Sequence, residues 1–213
     1  MLSAIQEFFA QNGPTMLRLI WEHIYLSFIS VLLGIIVAVP LGIFLTRVND
    51  RAANAVITIA SILQSLPSLA LLALMIVFVG VGQVPAILAL FIYSLLPILR
   101  NTYTGIKSVD DNLVDAARGM GMKNGQILTK VQLPQAAPVI MASIRLSTTY
   151  VIAWTTLASY IGAGGLGDYI FGGLSLYVPE LIIAGIVPVT ILALLVDFLL
   201  SLLEKRVTPV NLR

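Results

Sequence analysis

The feature that most limits the fold of this chain is a run of 48 residues, 52–99, without a single charged side chain. As one helix it would measure about 70 Å, more than twice the roughly 30 Å hydrocarbon core of a bilayer. Gly80, Gly82 and Pro85 form a cluster within the run that is typical of a turn. The run therefore predicts two membrane spans joined by a short connection.

The rest of the chain repeats this pattern. Charged residues make up only 10% of the 213 residues, whereas a soluble domain carries about 25%. The apolar runs are continuous instead of alternating, which predicts helices rather than a barrel. We expect an all-α membrane protein that forms a single transmembrane domain over residues 1–213. Its five transmembrane helices are expected near residues 24–46, 53–79, 85–105, 137–160 and 181–203.

The lysines and arginines are distributed unevenly between the two sides of this layout. Eleven of the twelve lie in the segments after spans one and three or in the C-terminal tail, and only Arg18 lies on the other side. Basic loops stay in the cytoplasm. We therefore expect a multi-pass membrane protein with its N-terminus outside and its C-terminus in the cytoplasm. The net charge of +2 is too small to predict nucleic-acid binding.

Residues 162–168, GAGGLGD, contain the G-x-G-x-x-G pattern followed by an acidic residue. In a dinucleotide-binding protein this pattern joins a strand to a helix in a soluble βαβ unit, but here it follows a membrane helix and faces away from the cytoplasm. Glycine-rich backbone at membrane depth is tolerated where it is buried in protein or lines a cavity. We interpret the stretch as an outer loop or gate element, with Ala163 accessible from outside. Its candidate residues are Gly162, Gly164, Gly165, Gly167 and Asp168.

The segment 108–134 is too polar to span a membrane and too periodic to be a disordered loop. Asp110 or Asp111 can cap a helix, apolar residues recur at helical spacing after it, and Gly121 is typical of a left-handed helix end. A second short helix fits residues 124–131. An amphipathic helix of this kind, with small exposed side chains, can dock a partner protein or lie in the lipid headgroups. Composition and spacing leave both alternatives open.

A sequence motif in this segment resembles the E-A-A-x₃-G-x₉-I-x-L-P loop of ABC importer permeases. The spacing is complete, with aspartate in place of glutamate and valine in place of isoleucine. The matching residues are Asp115, Ala116, Ala117, Gly121, Val131, Leu133 and Pro134. The resemblance implies a coupling helix that sits in a cleft of an ATP-hydrolysing subunit, within a five-helix core similar to that of methionine-type permeases.

Within that family, several stretches look like the osmoprotectant branch, which imports glycine betaine, carnitine and choline. They are residues 66–75, 90–106, 115–122 and 161–171. The resemblance implies two cytoplasmic ATPase subunits, a second permease half (identical or paralogous) and an extracytoplasmic binding protein. It also implies that the protein is located in a prokaryotic cytoplasmic membrane. The chain lacks a G-x-x-x-x-G-K-[ST] loop, so ATP and Mg²⁺ are expected on the ATPase and no cofactor in this chain. The alternatives are a permease for methionine or another small solute, and a passive channel or scaffold.

Pro67 and Pro97 both fall inside predicted spans. Pro67 lies in the middle of span two and Pro97 near the basic end of span three. Proline removes a backbone donor and kinks a helix, and discontinuous helices often mark transport sites. We interpret Gln64, Ser65, Leu66 and Pro67 as part of the pathway or its gate. The alternative is that neighbouring helices simply tolerate the proline.

Two ionisable residues need a separate explanation. Asp197 is a carboxylate within an apolar run, and we expect a structural pair with an arginine from the cytoplasmic side rather than a substrate or proton site. His23 lies beside Trp21 and Tyr25, which predicts an interfacial anchor belt. It is the only histidine, and the chain has no cysteine, so no metal site is expected.

Aromatic side chains can hold quaternary ammonium groups by cation–π attraction. Several lie in or after span four. We expect most of them to serve packing or the interfacial belt, because a permease of the resembled family need offer only a low-affinity passage. These residues are Tyr150, Trp154, Tyr160, Tyr169 and Tyr177.

Overall fold

The computed structural model describes the backbone of residues 2–208 and the side chains of residues 12–208. Every regular element in that part of the chain is a helix. A π-helical turn, Leu128–Gln132, joins α6 to α7, and a 3₁₀ turn, Thr156–Ile161, follows α7. The α-helices are α1 (Leu2–Leu45), α2 (Asp50–Ser65), α3 (Ser68–Val79), α4 (Gln83–Lys107), α5 (Asp111–Gly119), α6 (Asn124–Ile127), α7 (Leu133–Thr155), α8 (Gly167–Leu176) and α9 (Pro179–Val207).

Four stretches of the described chain are long and apolar enough to cross a membrane. They are Asn12–Leu45, Gln83–Lys107, Asn124–Ile161 and Pro179–Val207, and the bent pair α2 and α3 counts as a fifth if the two helices form one span. The expectation of an all-α membrane protein is confirmed. Helix α1 begins well before the predicted residue 24, and the sequence did not predict α8.

The two prolines behave differently. At Pro67 the chain bends by 98° between α2 and α3. Pro67 has no N–H to donate to the carbonyl of Leu63, which instead accepts from Leu66 N at 3.4 Å. Helix α4 continues through Pro97, whose carbonyl accepts from Asn101 Nδ2 at 2.9 Å. Only Pro67 therefore divides a predicted span.

Helices α1 and α4 cross very closely. Four small residues spaced by four, Ser30, Gly34, Ala38 and Gly42, lie along α1. A Cβ atom at Gly42 would lie 2.7 Å from Thr102 Cβ and 3.0 Å from the carbonyl oxygen of Leu99, and one at Gly34 would overlap the Ser94 side chain. Small side chains let membrane helices approach and gain van der Waals contact. Of the three glycines of α1, the two at this crossing, Gly34 and Gly42, leave no room for an added methyl group.

An ion cluster joins α7 to α9 within the apolar part of the fold. Arg145 donates from Nε and Nη2 to the two carboxylate oxygens of Asp197, at 2.6 and 2.7 Å. Its Nη1 lies 3.3 Å from Glu204 Oε2. The expected pairing of Asp197 with an arginine is confirmed, and the partner is Arg145.

Contacts between the connections define two ends of the bundle. At one end Arg47 donates to Gln132 and Lys107 pairs with Asp50; we call it the basic end. At the other, Gly82 N donates to the carbonyl of Ile161 at 2.9 Å; we call it the glycine end. Helix α5 lies at the basic end and residues 162–168 lie at the glycine end.

The close crossing predicts opposite effects for one substitution at two glycines of α1. Gly42→Ala should destabilise the chain by about 1–3 kcal/mol through overpacking. Gly13→Ala should be neutral or stabilising, because its Cβ would meet nothing within 4 Å and alanine favours helix over glycine by about 1 kcal/mol. Thermal unfolding of the purified variants in detergent measures both. Equal effects at the two positions would contradict the packing described here.

Candidate functional site

The segment at the basic end begins with a capped helix. Asp110 accepts from Asn112 N–H at 2.9 Å, and α5 runs from Asp111 to Gly119. Gly121 follows with φ +80°, which confirms the left-handed position predicted for it. No neighbour within 4 Å restricts a Cβ there, so the requirement for glycine at this position comes from the backbone alone.

A small hydrophobic core holds this segment together. Val114 and Ala117 of α5 pack against Ile127 of α6, with Val131 of the π-helical turn at its edge. Leu133 is also partly buried. These contacts explain the apolar positions of the motif as internal packing.

The opposite face of α5 has no covering element in the described chain. Leu113, Ala116 and Met120 are exposed there at helical spacing, and Met120 is 71% exposed. Asp115 pairs with Arg118 on the same surface at 3.0 Å. Gly121 and Pro134 are exposed too. The seven motif residues thus divide into three that pack inside and four that face outward.

The break between α2 and α3 is held by a residue that the sequence did not single out. Tyr93 of α4 donates from its hydroxyl to the carbonyl of Leu66 at 2.6 Å. Gln64 Nε2 lies 3.5 Å from the carbonyl oxygen of Tyr93, while Ser65, Leu66 and Pro67 are exposed. Nothing in the sequence around Tyr93 signals this contact, because its partner lies 27 positions earlier.

Beside the break lies an open groove with a volume of about 430 Å³. Its lining comes from α2 and α7, which the helix break and the bundle bring together. The lining residues are Ser61, Gln64, Ser65, Tyr150 and Trp154. The ring of Trp154 lies 4.5 Å from that of Tyr93 and 5.8 Å from that of Tyr150, measured between centroids.

The glycine-rich stretch 162–168 is packed into the bundle rather than open. Gly162, Gly164 and Gly165 have φ of +69°, +83° and +87°, and Gly165 N donates to Glu22 Oε2 at 3.0 Å. Ala163 is only 2% exposed. The expectation that Ala163 is accessible from outside is therefore wrong.

Two residues of this stretch show how it is anchored and where it is open. Gly167 begins α8 so close to the 3₁₀ turn that an added Cβ would overlap the carbonyl oxygen of Thr156. Asp168, next to it, is exposed. Partial burial of its carboxyl and the nearby Glu22 raise the pKa of Asp168 above its usual range, against an opposing effect of Arg18.

The position of His23 corrects the belt interpretation. His23 is fully buried, and its Nε2 lies 3.0 Å from the carbonyl oxygen of Ile152. Trp21 and Tyr25 on either side of it are exposed. His23 shares a buried face of α1 with Leu19 and Leu26, and this spacing of four and three is a helical signal that could have placed it inside. Among the described residues, no three His, Asp or Glu side chains come close enough to hold a metal ion.

Comparison with known protein families identifies the family of this chain. Residues 30–209 match the profile of the family described as "Binding-protein-dependent transport system inner membrane component". The chain belongs to this family. It is a membrane component of a transport system, and the all-helical permease fold described above is the fold of its relatives.

Individual relatives match along their whole length. The carnitine transport permease protein OpuCB of Listeria monocytogenes is 58% identical over 212 residues, covering 100% of this chain and 97% of that protein. The glycine betaine/carnitine/choline transport system permease protein OpuCB of Bacillus subtilis is 56% identical, again covering 100% and 97%. Among solved structures, an inward facing conformation of the MetNI methionine ABC transporter matches with 27% identity and a TM-score of 0.81, over 91% of this permease and 96% of that chain.

Proposed function

We propose that this permease is the transmembrane subunit of an ATP-binding-cassette importer that passes quaternary ammonium osmoprotectants into the cell. One observation carries the proposal: relatives named for carnitine, glycine betaine and choline transport are 56–58% identical across essentially the whole chain. The class of substrate follows from those names. The single domain over residues 1–213 is the permease domain.

The importer assembles from several subunits. Two cytoplasmic ATPases bind and hydrolyse ATP with Mg²⁺, a second permease half completes the pathway, and an extracytoplasmic binding protein delivers the substrate. The exposed face of α5, with Leu113, Ala116 and Met120, supports docking on the ATPase. Without a partner, this apolar face of a polar segment would be open to water. The alternative of an amphipathic helix in the headgroups has no comparable support from the motif.

The basic end faces the cytoplasm and the glycine end faces outside. The concentration of lysine and arginine supports this orientation, as does the position of the coupling motif at the same end. The N-terminus then lies outside and the C-terminus in the cytoplasm. Substrate passes by alternating access, with Gln64–Pro67 and residues 162–168 at the gate.

The competing functions have weaker support. A methionine permease shares the fold, but the methionine transporter in the solved structure is only 27% identical to this chain. A passive channel would have no use for a capped coupling segment with a left-handed glycine. Neither alternative explains the identity to osmoprotectant permeases.

Reconstituted uptake tests the substrate class. The permease is assembled with its ATPase and binding protein in proteoliposomes. It should accumulate radiolabelled glycine betaine, carnitine or choline only when ATP is inside the vesicles, on the side of the membrane where the ATPase lies. Excess unlabelled substrate of this class should compete, and excess methionine should not. Competition by methionine alone would replace the proposed substrate, and ATP-independent flux would indicate a channel.

Two nearby glycines test coupling. Gly121→Val forces a β-branched side chain to φ +80°, which costs about 1–2 kcal/mol, so we expect reduced uptake and reduced substrate-stimulated ATP hydrolysis. Gly119→Val is the matched control, because Gly119 is helical and has nothing within 4 Å of an added Cβ. Equal activity of the two variants, at equal membrane insertion, would remove the coupling role of this turn.

Cysteine labelling tests the orientation. The chain contains no cysteine, so Asp168→Cys provides a single thiol at an exposed position of the glycine end. A membrane-impermeant maleimide added to intact cells should label it. Lys123→Cys, exposed at the basic end, should react only after the membrane is opened. The reverse pattern would invert the topology.

A further inference from the structure

We propose that the groove between α2 and α7 is a binding site for the trimethylammonium head of the transported solute, formed by the aromatic faces of Tyr150 and Trp154. The inference rests on the proposed function and names the residues that would contact the transported solute. It brings together two features that the sequence kept apart, the polar residues at the broken span and the aromatic residues of span four.

The two aromatic side chains border an open volume instead of filling it. Tyr150 is 46% exposed and its ring lies 5.8 Å from that of Trp154, with the planes inclined by 33°. Trp154 in turn lies 4.5 Å from Tyr93, the residue that ties α4 to the helix break. Trp154 is therefore fixed from behind by Tyr93, and Tyr150 stands beside it at the groove.

The polar lining favours a cation. The hydroxyls of Ser61 and Ser65 donate to carbonyls of their own helix, those of Ile57 and Ile62, at 2.8 and 2.7 Å. Their protons are thus engaged while their oxygen lone pairs remain acceptors. A quaternary ammonium group cannot donate a hydrogen bond, so it is attracted by ring faces and oxygen lone pairs rather than by hydrogen-bonding partners.

The groove carries no carboxylate. None of its five lining residues is an aspartate, glutamate, lysine, arginine or histidine, so attraction for a cation comes from the aromatic faces and the oxygen lone pairs. Such a site is weak, in the range of about millimolar dissociation constants. The volume of about 430 Å³ accommodates a small solute, and Gln64 offers an amide for the part of the molecule beyond the head.

Tryptophan emission reports this site directly. The chain has two tryptophans, Trp21 and Trp154, so Trp21→Phe leaves Trp154 as the only tryptophan of the chain, which is excited selectively at wavelengths where tyrosine does not absorb. The full chain in lipid nanodiscs is titrated with choline chloride, with sodium chloride at equal ionic strength, and with 3,3-dimethylbutan-1-ol, the neutral isostere of choline. Choline should change the emission saturably, and neither control should reproduce that change.

Matched variants locate the contact. In the Trp21→Phe background, Tyr150→Leu should weaken choline binding about 5- to 30-fold, and Tyr150→Phe should retain it because the ring remains. Tyr160→Leu serves as the control, since its ring packs on Phe171 at 4.3 Å, outside the groove. Absence of a choline response, an equal response to the isostere, or unchanged affinity in Tyr150→Leu would overturn the site.

Choline binding to the groove and uptake by the assembled transporter are measured separately and can fail separately. Binding in nanodiscs needs neither ATP nor a partner subunit. Osmoprotectant uptake without any Trp154 response would remove the groove as the contact and leave the function standing. A saturable Trp154 response in a transporter that fails to take up these solutes would keep the site and remove the proposed function.

Discussion

The close crossing of α1 and α4 is the contact on which the other helices depend. Gly34 leaves room for the Ser94 side chain, and Ser147 of α7 donates to the carbonyl of Ser94 at 3.2 Å. Three helices therefore meet at one residue. Because small side chains bring the backbones together, α4 is held firmly enough for the adjacent Tyr93 to fix the break between α2 and α3. Loss of the crossing would displace both the break and the groove beside it.

Helix α7 connects the two ends of the molecule. With α6, the π-helical turn and the 3₁₀ turn it forms a nearly unbroken helical stretch from residue 124 to 161, 38 residues long, or about 57 Å at the α-helical rise. The motif segment 108–134 overlaps its start, Tyr150 and Trp154 lie near its far end, and the glycine-rich stretch follows directly. If residues 108–134 couple to an ATPase as proposed, this helical stretch is the element through which their displacement would reach the groove and the glycine-rich stretch. The pairing of Arg145 with Asp197 ties α9 to the same element.

The sequence predicted the parts of the fold that follow from hydrophobicity and local geometry. Long apolar runs gave the membrane helices, and the left-handed Gly121 followed from its place after a periodic segment. The pairing of Asp197 was predictable because an isolated carboxylate in lipid is costly, although Arg145 could not be named. The roles of Tyr93 and Glu22 depend on contacts across distant parts of the chain, whereas the burial of His23 could have been predicted from its helical spacing with Leu19 and Leu26. The stripe of small residues on α1 was visible in the sequence as a spacing of four, but a stripe does not say which helix will face it.

The neutral character of the groove agrees with what a transport pathway requires. A passage must bind its solute well enough to admit it and weakly enough to release it. A carboxylate beside a quaternary ammonium group at low dielectric would hold it tightly, and its own burial without a partner would be costly. Aromatic faces avoid both difficulties, because they attract the cation without carrying a charge that must be desolvated. In an importer with a separate binding protein, capture at low concentration belongs to that protein. The permease is then left with a shallow site whose occupancy can change as the helices move.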